Sequence, residues 1–152
     1  MNYVWAIVVA GLVGTIATIC VMLFRGAVAA DLGRSTAAAI ATAFGIIWTV
    51  WVLASAALAE ADVYRFAPAK VEPWLALAMM LPLAVALLAT RIPVVSRILN
   101  QPDTQWWLTV GQIFRVEGVA FLIVMVLGEL PAGFALPAGL GDIAIGFGAI
   151  YL

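Results

Sequence analysis

Four side chains in this sequence could do chemistry inside an apolar environment: Gln112, Arg115, Glu117 and Asp142. The first three fall in one apolar run, residues 104–127. Arg115 lies about 16 Å along a helix from Thr104, near mid-bilayer if that run crosses a membrane. A central arginine or aspartate costs roughly 2.5–3.5 kcal/mol to insert, so such residues face a bundle interior or mark a functional site. Residues two apart on a helix are rotated by about 200°, so Arg115 and Glu117 point to opposite sides and cannot pair. Each needs a partner from elsewhere.

Gly111 and Gln112 share the arginine's face, with Gly118 one turn on, which outlines a polar groove lined by small residues. Asp142 is the natural partner for Arg115. A half-helix opening with an acid at buried depth is one way transporters build substrate or ion sites. The alternative is that Asp142 caps the last helix at the interface. Arg115 can equally be a register-fixing ion pair or a side chain snorkelling to the surface. Glu117 has no comparable snorkelling route, which makes it the better candidate for a proton or cation site.

The elements that must position these residues are membrane-length helices. The expected fold is all-α: a polytopic transmembrane bundle in a single domain, 1–152. Its full spans are predicted at 3–24, 36–59, 73–90 and 104–127, with a partial fifth segment at 140–152. The first span carries Gly11, Gly14, Thr15 and Thr18 at helical spacing, and the second carries Ser35, Thr42, Gly45 and Thr49. Small faces of this kind let helix backbones approach closely in lipid. Ser35 or Thr36 suits the N-cap of the second span. Pro73 suits the first turn of the third, and Pro82 should kink it. Residues 91–100 are short and amphipathic and could lie along the interface. Trp5, Trp106 and Trp107 fit the headgroup level.

The C-terminal stretch repeats LPAGFA as LPAGLG. Proline and glycine at this density are expected to break a helix there. The 11 residues from Asp142 onward would cover only about 16 Å. A carboxylate at Leu152 would be stranded in apolar surroundings, which favours a chain that continues as a fifth span over a re-entrant half-helix.

Composition agrees with the membrane reading. Hydrophobic residues make up 66% of the 152, charged residues 10%, and histidine is absent, against about 25% charged in soluble domains. Ala27-Val28-Ala29 mimics a signal-peptide cleavage site. However, the preceding run lacks a basic n-region and exceeds the ~7–15 apolar residues of such a peptide, so it reads as a retained span. A net charge of −1 offers no basic face for nucleic acid. Without histidine, and with Cys20 alone, common zinc, haem and copper ligand sets cannot form, nor can nucleophile–histidine pairs. No metal site or cofactor is expected; a bound lipid or pigment remains a candidate structural ligand.

Arg25, Arg34, Arg91 and Arg97 mark the first and third loops, against Arg65 and Lys70 in the second. The positive-inside rule then places the N-terminus outside the inner (plasma) membrane. Phe114-Arg115, Gly118, LPAGFALPAG, Gly141-Asp142 and Gly146 resemble the C-terminal part of a family of uncharacterised small bacterial membrane proteins. The resemblance covers about the last third of the chain and implies a multi-span protein, without an activity.

The leading functional expectation is an accessory or structural subunit, with membrane lipids and other subunits or copies of itself as partners. The alternative is a small transporter or channel around Gln112, Arg115, Glu117 and Asp142, although no inverted repeat is visible. A membrane enzyme ranks last, since its only acid–base groups would be carboxylates.

Overall fold

A computed structural model describes residues 2–64 and 73–151. Arg65, Pro68, Lys70, Glu72 and Leu152 lie outside the described residues. Every regular element among those described is a helix. The chain runs α1 (Asn2–Ala29), α2 (Arg34–Glu60), α3 (Trp74–Ala89), α4 (Pro93–Leu99), α5 (Thr104–Gln112), a 3-10 segment (Ile113–Gly118), α6 (Val119–Val126) and α7 (Ala132–Gly148).

Among the described residues, three stretches are long and apolar enough to cross a membrane: Tyr3–Ala29, Arg34–Glu60 and Thr104–Val126. A fourth results if Ala76–Ala89 and Pro93–Leu99, bent by 91°, count as one broken span. By itself the 16-residue α3 covers about 24 Å, short of a ~30 Å hydrocarbon core. Pro82 lies inside α3, where its missing N–H leaves the Ala78 carbonyl without an α-helical partner. Leu77, Met79, Met80, Leu83, Leu87 and Leu88 of α3 are all exposed. A soluble protein avoids an apolar surface on that scale.

Helix ends depart from the sequence reading in three places. α1 continues to Ala29 rather than stopping near Phe24, because no proline occurs before Asp31 and the isolated Gly26 is tolerated within a helix. There Asp31 takes a left-handed conformation (φ 57°), and Leu32 N–H donates to the Ala27 carbonyl at 3.1 Å while Asp31 N–H donates to that of Val28. This is the Schellman termination, usually built on glycine but open to aspartate. Asp62 (φ 59°) ends α2 in the same way, and Gly128 (φ 81°) ends α6. Second, α2 is capped by Gly33, not by Ser35 or Thr36: the Gly33 carbonyl accepts the Ala37 N–H at 3.0 Å and no side-chain cap forms.

The third difference concerns the proline- and glycine-rich stretch. Instead of breaking, it forms α7, which runs unbroken through Pro137 and places Asp142 in mid-helix rather than at an N-terminus. Pro131 stands just before the helix, where its missing donor costs nothing. Pro137 forfeits one bond, to the Gly133 carbonyl. Packing of the opposite face, formed by Ala135, Gly139 and Gly146, overrides the local propensity.

The chain divides into two compact units. One comprises Met1–Met22 with Pro102–Leu152, the other Leu23–Gln101. In the second, α4 lies on the last turns of α1: a Cβ on Gly26 would stand 2.8 Å from Ile98 Cγ2, and Ile98 is fully buried. The candidate site belongs to the first unit.

Candidate functional site

The 3-10 segment organises the site. With three residues per turn, side chains at i and i+3 eclipse, so the segment presents three straight edges. Phe114 and Glu117 form one edge and lie against Gly14 and Gly11 of α1. Ile113 and Val116 form the second, against Gly146 of α7. Arg115 and Gly118 form the third, against Asp142 and Gly139 of α7.

The α1 edge is an antiparallel ladder of close approaches. A Cβ on Gly11 would overlap the Glu117 carboxylate, and one on Gly14 would overlap the Phe114 ring. One step further, Gly111 stands at ordinary van der Waals distance, 3.9 Å, from the Thr18 methyl. Gly11, Gly14 and Thr18 thus meet 117, 114 and 111 in order. Gly111 therefore lies on the glutamate's edge, not the arginine's as an α-helical pitch implies. The tighter 3-10 winding is the reason.

Glu117 reaches a place where nothing answers it: its Oε2 is buried and has no hydrogen-bond partner among the described residues. A buried oxygen in this condition carries its full desolvation cost.

On the third edge Arg115 meets Asp142. Nε donates to Asp142 Oδ1 at 2.8 Å and Nη2 donates to the same oxygen at 2.5 Å, while Nη1 reaches Gln112 Oε1 at 3.4 Å. Two charge-assisted donors converging on one acceptor give a strong contact. Below the pair the backbones touch. A Cβ on Gly118 would stand 2.5 Å from Asp142 Cβ and 2.9 Å from the Gly139 carbonyl, and a Cβ on Gly139 would stand 2.9 Å from the Gly118 carbonyl. Only glycine at both positions permits this approach. The pair itself is not enclosed: the Arg115 side chain is 47% exposed and that of Asp142 25%. Arg115 is also the central residue of the 23-residue stretch Thr104–Val126.

The remaining residues singled out from sequence lie elsewhere. Thr42 and Thr49 are exposed and Gly45 half-buried on α2, in the second unit. Trp5 and Trp106 are exposed, and Trp106 packs edge-to-face on Trp107 at 4.9 Å. No group of three or more Asp, Glu, Cys or His that could hold a metal occurs among the described residues. The sequence reading assigned no packing role to Gly139, Val116 or Leu122. The available signal was Gly139 and Gly146, seven residues apart and so on one helical face, masked by the prolines around them.

No curated protein and no solved structure matches the chain. A family model, the domain of unknown function DUF8737, matches residues 72–152. That match takes in the 3-10 segment, the whole of α7 and both members of the ion pair, more than half of the sequence, and the chain belongs to that family.

Proposed function

We propose that this protein is an integral subunit of the bacterial plasma membrane: a bundle of four spans and a shorter fifth helix that packs against other membrane helices. The observation that carries the reading is the half-exposed Arg115–Asp142 pair at the centre of an apolar span. Facing lipid, that guanidinium would meet hydrocarbon, at a cost of roughly 2.5–3.5 kcal/mol on insertion scales. A helix from a second chain removes the exposure and gives the pair a purpose, the fixing of register between subunits. The exposed Thr42 and Thr49 of α2 are consistent with helix contacts of the same kind. By the arginine and lysine count, the N-terminus lies outside.

Native mass spectrometry of protein released gently from its own membrane tests this. Co-purifying subunits, or copies of this chain, in a fixed ratio are the expected result. A monomer that exchanges freely with detergent would sink the subunit reading. A second reading, a small transporter or channel around Gln112, Arg115, Glu117 and Asp142, is favoured by one observation, the unpartnered Glu117 Oε2. Loss of flux in Glu117→Gln with the fold intact is its signature.

A further inference from the structure

Glu117 and its surroundings carry an inference independent of any partner chain. We propose that Glu117 is a proton-binding site, its carboxyl held as the neutral acid where the 3-10 segment packs on α1. The proposal rests on the Thr104–Val126 stretch being a membrane span, not on the subunit reading.

The groups around the buried oxygen of this half-buried residue supply neither a donor nor a counter-charge. Oε2 is buried without a donor, and the residue it lies against is Gly11, which has no side chain to offer. Of the other titratable groups on α1, Tyr3, Cys20 and Arg25 are eight or more residues from Gly11. α5 and α6 contain no charged residue. α7 contributes Asp142, a like charge, which is already engaged with Arg115. Arg115, two positions along the same segment, is on a different edge and committed to Asp142. No positive charge is therefore left to balance an ionised Glu117 among the groups packed around it.

An unpaired buried charge is relieved by neutralisation or by a cation. Hard cations require about six or more oxygen ligands and favour several carboxylates, and no cluster of three Asp, Glu, Cys or His side chains occurs among the described residues. A proton needs one oxygen. It is the cation that this site is equipped to hold.

Infrared difference spectra of the full-length protein in phosphatidylcholine vesicles, wild type minus Glu117→Gln, test the assignment. At neutral pH the wild type should show the carbonyl band of a protonated carboxyl that the variant lacks. At alkaline pH that band should be lost in favour of carboxylate, and exchanging potassium for sodium should not move it. A carboxylate band from Glu117 at neutral pH overturns the proposal, as does loss of the acid band on adding sodium.

Should Glu117→Gln fail to fold, labelling of the wild type by dicyclohexylcarbodiimide decides the same question. The acid's proton passes to a carbodiimide nitrogen and its oxygen bonds to the central carbon. The adduct then rearranges to an N-acylurea that retains every atom of both reactants. Peptide mapping should place the label on Glu117 in preference to the exposed Glu60 and Glu129, at a rate falling about tenfold per pH unit once the acid ionises. Labelling of Glu117 no greater than that of Glu60 and Glu129 overturns it. Neither measurement depends on oligomeric state, so failure here is distinguishable from failure of the subunit reading.

Discussion

Arg115 and Glu117 stand two residues apart on one 3-10 segment, yet the protein treats their charges in opposite ways. Arg115 has a carboxylate partner and a glutamine beside it, and is still half exposed. Glu117 Oε2 is buried and has no hydrogen-bond partner among the described residues. The neighbouring helices explain the difference. α7 brings a side chain of the right charge on a helix close enough for backbone contact through Gly118 and Gly139. α1 brings only the absence of a side chain at Gly11, which makes room for the carboxyl without answering it. Room and complementarity are separate provisions, and this segment receives one on each of these two edges.

That contrast can be broken by mutation, and the largest effect is expected on the arginine's side. Arg115→Leu should cost about 2–3 kcal/mol by leaving Asp142 without its two charge-assisted donors, read as a fall in unfolding midpoint in bicelles. The double variant Arg115→Leu with Asp142→Leu should recover more than half of that loss. Strictly additive losses would show that the two side chains do not interact.

Next in size, Gly118→Ala should cost about 2 kcal/mol, because the new methyl would meet Asp142 Cβ and the Gly139 carbonyl with backbone on both sides. On the glutamate's edge the expectation reverses. Glu117→Met removes an unanswered polar group at similar volume and should leave stability within about 1 kcal/mol of wild type, on the favourable side. A loss as large as that of Arg115→Leu would mean that Glu117 has a structural partner.

The smallest effect sharpens the same comparison within α7. Gly141 has no atom within 4 Å of where its Cβ would be, in contrast to Gly139 and Gly146. Gly141→Ala should therefore stabilise the helix by about 0.5–1 kcal/mol. A destabilisation in native membranes, absent in detergent, would locate a helix of another chain on that outward face.

Much of this site is legible in the sequence because membrane cost is a loud signal. A charged residue at the centre of an apolar run announces itself, and the rotation between positions 115 and 117 rules out their pairing on helical geometry alone. The small residues Gly11, Gly14 and Thr18 are likewise visible as a face. The winding of the segment is not visible, because 3-10 and α turns are built from the same residue types and are chosen by tertiary packing. That choice moved Gly111 to the other edge. The continuity of α7 is hidden for a related reason. Pro137 argues for a break locally, and only the packing of Gly139 and Gly146 against the 3-10 segment shows why the helix persists.

The change of winding also has a metric consequence. Six residues at 3-10 pitch advance about 12 Å and turn through about 720°, against about 9 Å and 600° for an α-helix. The span is thereby lengthened by about 3 Å, and α6 is rotated by about 120° from the azimuth a uniform helix would give it. Hydropathy phase read along α5 cannot be extrapolated into α6. Rewinding the segment to α pitch would act as a screw, retracting α6 and turning Leu122 away from Gly139, which it now touches. The stretch between Gln112 and Val119 thus sets both the length of this span and the azimuth of everything beyond it.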